Sequence, residues 1–222
     1  MASSRRIIDL RNLLAERFPQ SFTARDARLV TSVAPLDEAT GGGLPKGAIT
    51  ELISAHPSAG SATLISALLE AAHRGRYFMA LIDGRDSFDA CGPGEPGNAR
   101  LRNLLWVRCH RTMEAIKAAD LLLRDGNFPL VILDLVLNPA AELRKIPQTS
   151  WYRLQRLAEA VPSACLIINR QSMVSSAQLK IVLENSWTLA DLENEHAILN
   201  LRFHVKRSHL KSAIRNPQSA IN

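Results

Sequence analysis

The sequence predicts an α/β fold: a mostly parallel sheet flanked by helices, with an antiparallel strand at its C-terminal edge. Three observations carry this. Short β-rich apolar runs alternate with helix-like segments at intervals of about 20–30 residues, the pattern of βαβ units. Those runs are continuously apolar, which suits strands covered on both faces. The segment 199–205 differs, because Leu199, Leu201, Phe203 and Val205 alternate with Asn200, Arg202 and His204, so one of its faces is wet.

Taken in order, Ile7, Leu10, Leu14 and Phe18 recur at helical spacing between a capping Ser4 and a terminating Pro19. This stripe is an amphipathic helix that either packs in cis or docks on a partner. A polar stretch follows to Arg28, so residues 1–28 are expected to be helix and linker. Strands are expected at 48–53, 77–82, 104–107, 130–133 and 165–168, with helices at 61–73, 112–124 and 150–160. The Gly/Pro-rich stretch 91–97 is a loop. The core is expected to run over 29–207, and 208–222, which lacks apolar periodicity, to form a basic flexible tail.

Composition narrows the class. The chain has 222 residues, 46% hydrophobic and 22% charged, enough for a buried core without disulfide or metal staples. No apolar run approaches the ~18 residues of a membrane span, and residues 1–6 lack the apolar stretch of a secretory signal. A cytoplasmic protein is expected. Cys91, Cys109 and Cys165 are odd in number and widely spaced, so they read as reduced structural thiols, and no cluster has zinc spacing. The net charge of +6 is concentrated at one end. After Glu195 there is no acid, while Arg202, Lys206, Arg207, Lys211 and Arg215 follow. That asymmetry suits a polyanion, an acidic partner surface or a solvated tail. Trp106, Trp151 and Trp187 lie in or beside apolar elements and read as core. Salt-sensitive phosphate contact is therefore expected without a stacking platform.

Residues 48–69 read strand, small-residue loop, helix, the setting in which G-x-x-x-x-G-K-[ST] cradles phosphates. Aligned on Gly60, the chain offers Ala55, His56, Pro57, Ser58, Ala59, Gly60, Ser61 and Ala62. Ala55 replaces the first glycine, Ser61 the lysine and Ala62 the magnesium-binding hydroxyl. The setting is present and the chemistry is missing; His56 reads as a turn residue.

The surroundings resemble the RecA recombinase family. Its L-D…G-G-L-P-x-G lead-in is matched by residues 36–47 (LDEATGGGLPKG), its second-strand motif by 81–89 (LIDGRDSFD), its Walker B strand by 130–134 (LVILD), and its sensor strand by 166–170 (LIINR). The resemblance spans residues 36–170 with the motifs in family order, and it implies a RecA-like P-loop NTPase core. It places Arg85 where the family has its catalytic glutamate, and Arg170 at the sensing glutamine, with Gln171 next to it. Asp134 alone retains its family identity, the magnesium-side carboxylate. Without a hydroxyl at Ala62 it reads as a structural cap of the following loop. Arg85 and Arg170 read as surface or ion-paired groups, or as replacement positive charge.

Phosphoryl transfer has thus lost its main electrostatic contributions, and no ATP hydrolysis and no cofactor are expected. Other enzyme signatures, the G-x-S-x-G elbow or H-E-x-x-H among them, are absent. Among RecA relatives lacking the phosphate loop, the chain is most similar to the ImuA family, through residues 41–53 and a strand ending in Val205-Lys206-Arg207. That resemblance implies a partner role in SOS-associated translesion synthesis, beside an ImuB-like Y-family polymerase homologue or RecA itself. The alternatives are a nucleotide-binding switch without turnover and a SulA-like inhibitor of cell division. Sequence does not set the oligomeric state.

Overall fold

The computed structural model describes residues 28–56, 59–89, 99–188 and 197–208. Arg28–Leu29 (β1) pairs antiparallel with Leu44–Pro45 (β2), and the helix Ala34–Thr40 (α1) lies between them. The expected 20–28 linker therefore gives up Arg28, whose guanidinium donates to the Thr40 and Gly43 carbonyls at 2.6 and 2.9 Å. The glycine run in the lead-in has a steric cause. Gly41 caps α1 in the left-handed region at φ 73°. A Cβ on Gly43, at φ 122°, would strike the Leu29 carbonyl.

Seven strands form the main sheet. Ala48–Ser54 (β3) leads into Ser61–Arg74 (α2), Met79–Asp83 (β4) into a 3-10 turn, and Leu104–Arg108 (β5) into Thr112–Asp125 (α3). Leu130–Asp134 (β6) is followed by Ala140–Leu143 (α4) and Gln148–Glu159 (α5), then Ala164–Asn169 (β7), Leu179–Leu183 (β8) and Phe203–Ser208 (β9). The spatial order is β5-β4-β6-β7-β3-β8-β9; all neighbours are parallel except β8 and β9. The expected antiparallel C-terminal edge strand is in place. β3, β4 and β7 are buried throughout.

Period-two alternation sends Leu52, Leu81, Ile132, Leu166 and Ile181 to one face, under α2. It sends Ile49, Ile82, Val131, Leu133 and Ile167 to the other, under α3 and α5. Good local chemistry fixes the helix ends. Glu114 accepts the Arg111 N–H at 3.1 Å at the start of α3, and Gly126 ends it at φ 70°.

The structure departs from these expectations at five points. The strand expected at 77–82 begins only at Met79, because Tyr77 and Phe78 belong to the turn after α2. β8 is a strand that an apolar-run reading passes over, because Lys180 interrupts it. The alternating segment starts late: residues 197–200 form a 3-10 turn, and β9 is Phe203–Ser208. Only Leu201 is deeply buried there, Val205 is 37% exposed, and Ser208, assigned to the tail, pairs with Leu179. Trp151 is fully buried, while Trp106 and Trp187 pack against the core only in part. Cys109 and Cys165 are buried free thiols; Cys91 lies outside the described residues. Among the described residues no helix is long and apolar enough to cross a membrane.

Candidate functional site: a cavity at the strand ends beside α2

In an open parallel sheet, ligands bind beyond the C-terminal ends of the strands. Here β3, β4 and β6 end around a cavity of about 340 Å³. α2 contributes Ser61, Ala62, Ile65 and Ser66; the segment after β4 contributes Ser87, Phe88 and Asp89; β6 and its loop contribute Asp134, Val136 and Leu137. The structure thus brings Ser61, Ala62 and Asp134 together. Gly60 begins α2 at φ 95°, with the Trp187 ring and Leu201 packed against it so that a Cβ would lie 3.0 Å from each. Ala55 and His56 are exposed, and Ser58 lies outside the described residues. The Ala59 N–H donates to the His56 carbonyl at 3.2 Å, so that amide is satisfied within the loop.

Two carboxylates sit side by side on the α2 face, since Asp83 and Asp134 are register partners. They differ in their partners. Asp83 accepts the N–H groups of Arg85, Ser87 and Phe88 at 3.2, 2.7 and 2.7 Å, and so shapes the turn after β4. Asp134 accepts one N–H, from Val136, at 3.0 Å. Burial, reinforced by the nearby Asp83 charge, pushes the Asp134 carboxyl up to about 6. The two turns are pressed together: a Cβ on Gly84 would lie 2.6 Å from the Asp134 carbonyl oxygen, and the Asn138 amide donates to the Gly84 carbonyl at 2.9 Å.

Arg85 does not line this cavity. Its guanidinium donates to the His110 carbonyl at 2.7 Å and stands 3.9 Å from Glu142. Arg170 and Gln171 are exposed and also outside the lining. Arg202, Lys206 and Arg207 are exposed at the β9 edge, away from the cavity. Ile7, Leu10, Leu14, Phe18, Lys211 and Arg215 lie outside the described residues. A second concavity, about 400 Å³, lies between α3 and α5 on the opposite face and holds none of the expected site residues.

Sequence reading missed one buried cluster. Glu51 on β3 is fully buried and 2.6 Å from Lys180 on the adjacent β8. It also accepts bonds from Asn169 Nδ2 and from the Met173 and Val174 N–H groups, at 3.1, 2.6 and 2.9 Å. Burial pushes this carboxyl up, but Lys180 and those donors outweigh it and hold it below the ordinary range. The signal was a lone acid in one apolar run and a lone base in another.

No protein-family model matches this chain. Similarity to curated proteins is nonetheless clear. RecA from Xylella fastidiosa (strain M23) is 32% identical over 111 residues, which is 49% of this chain and 31% of that protein. RecA from Francisella philomiragia is 33% identical over 130 residues, 54% of this chain and 34% of that protein. Over about half its length the chain is a homologue of RecA-superfamily proteins. The chloroplastic DNA repair protein recA homolog 1 of Arabidopsis thaliana is 30% identical over 115 residues, 51% of this chain and 26% of that protein. The matched part spans about a quarter to a third of these relatives' length. The RecA-like architecture expected from the motifs and the sheet order thus agree, and the first residues of α2, Ser61 and Ala62, line the cavity.

Proposed function

We propose that this chain is a non-catalytic RecA-like accessory protein, acting through protein contacts in the DNA-damage response in the manner of the ImuA family, within error-prone translesion synthesis. The observation that carries the reading is the charge of the cavity. Its charged lining residues among those described are Asp89 and Asp134, both acidic, where a triphosphate requires positive charge. Serine stands at the lysine position, alanine at the magnesium-hydroxyl position, and the arginine at the glutamate position is held by His110 and Glu142. Partners on this reading are an ImuB-like Y-family polymerase homologue or RecA, with weak phosphate contact along β9. The relatives' printed names, RecA and a DNA repair protein, support the DNA-repair setting.

The test is calorimetric titration with ATP and magnesium, beside a Ser61→Lys/Ala62→Thr variant, followed by pull-down of the two partners. No saturable heat for the wild type, with capture of a polymerase homologue or RecA, is the expected result. Saturable ATP binding with turnover would overturn the reading. Binding without turnover would favour the nucleotide switch, and capture of a tubulin-like division protein the SulA-like alternative.

A further inference from the structure

We propose that the cavity over α2 is a binding site for an organic cation on an alkyl stem, an ammonium or a guanidinium, seated against Asp134. The proposal rests on the reading of this site as one that has given up nucleotide, and it assigns the site a ligand class of opposite charge.

Three features of the cavity select that class. Its only charged lining residues among those described are Asp89 and Asp134. Asp134 is the one poorly supplied with donors: Oδ1 takes the Val136 N–H, and Oδ2 receives no hydrogen bond from the described residues. Its neighbour Asp83 is already saturated by three backbone N–H groups and adds negative potential without competing for a ligand. Asp134 is half-buried and largely desolvated, with one oxygen open to the cavity, so a donor-bearing cation gains both an ion pair and charge-assisted hydrogen bonds there.

The walls decide what kind of cation. Ile65, Phe88, Val136 and Leu137 give the cavity apolar sides, while Ser61, Ser66 and Ser87 offer hydroxyl oxygens. A divalent ion favours a shell of about six oxygens, and four apolar side chains interrupt the one that Ser61, Ser66, Ser87, Asp89 and Asp134 offer, so magnesium alone serves as the competing probe. A methylene stem lies well against such walls while its charged head reaches the carboxylate. The volume, about 340 Å³, falls in the range of small-ligand pockets. A free amine and an arginine or lysine side chain from a protein segment share this chemistry, and the experiment separates them.

The probes are agmatine, the tripeptide Gly-Arg-Gly with blocked ends, N-butylacetamide as an uncharged molecule of similar reach, magnesium alone, and ATP with magnesium. Binding is read by amide chemical shifts at Ser87 and Val136 and by the thermal midpoint. Agmatine or the tripeptide should bind saturably and N-butylacetamide should not. Asp134→Asn, which keeps an oxygen for the Val136 N–H, should weaken the cation by at least about tenfold. Tighter binding of agmatine identifies a free amine as the ligand, and tighter binding of the tripeptide a protein side chain. Ala62→Arg, which places a cation in the cavity, should raise the midpoint and abolish agmatine binding. The proposal is overturned if folded wild type binds neither cation, if Asp134→Asn binds them equally well, or if magnesium alone gives the same shifts. ATP binding would sink the functional reading as well, whereas silence toward both ATP and the cations sinks this proposal alone.

Discussion

Glu51, buried in the middle of β3, and Asp134, half-buried at the end of β6, are acids whose surroundings drive them in opposite directions. Glu51 has an ammonium and three N–H donors around it and stays ionised below the usual range. Asp134 has one N–H and an acidic neighbour, and its carboxyl is pushed up to about 6 from 3.8. Between those two values the folded protein holds a proton that the unfolded chain releases. The Asp134 contribution to stability is therefore complete below the lower value and is lost as pH rises through the upper one. Denaturant melts of wild type and Asp134→Asn between pH 4 and 7 should show the variant gaining about 1–3 kcal/mol relative to wild type across that window. A constant difference would show that Asp134 is not desolvated.

At the scale of elements, the Glu51–Lys180 pair joins three strands and a loop. Glu51 on β3 reaches Lys180 on β8, Asn169 at the end of β7, and the N–H groups of Met173 and Val174 in the connection that follows. Lys180 in turn donates to Ser172 Oγ at 2.9 Å, so both members close the same loop onto the sheet. Breaking such a pair from one side leaves a buried charge without a partner. Glu51→Ala should cost about 3–5 kcal/mol, and a Glu51→Leu/Lys180→Met double variant should recover most of it. Chemical denaturation of the set checks this. Equal losses in the single and double variants would assign the stability to packing. The pH dependence has the opposite sign to that of Asp134: the Glu51 contribution is present above its unfolded pKa and is lost as pH falls through its lower folded value.

For the whole molecule, charge is separated between the strand ends and the sheet edge. The cavity at the C-terminal strand ends is acidic, while β9 closes one edge with exposed Arg202 before it and Lys206 and Arg207 within it. Phosphate contact along that edge should be weak and should fall steeply with salt. Lys206→Ala should lower the slope of log affinity against log salt by about one, measured on DNA by fluorescence anisotropy, and an unchanged slope would remove β9 from the interface. The alternation of apolar runs and helical periodicity made the parallel sheet legible, because a strand covered on both faces must be apolar throughout. The motif order from residue 36 to residue 170 likewise carried the RecA-like architecture. What these patterns do not contain is distance between charges remote in sequence. Lys180 hid β8 because a lone lysine reads as solvent-facing until Glu51, 129 positions upstream by sequence number, is seen to neutralise it. Arg85 could have faced the cavity or left it, and only the positions of His110 and Glu142 decided that it leaves. By itself the sequence determined the alternating α/β pattern and the antiparallel strand near the C-terminal edge. The acidic, apolar-walled character of the cavity among the described residues was decided by tertiary structure, because residues from α2, the segment after β4, and β6 with its loop meet only when the sheet is assembled.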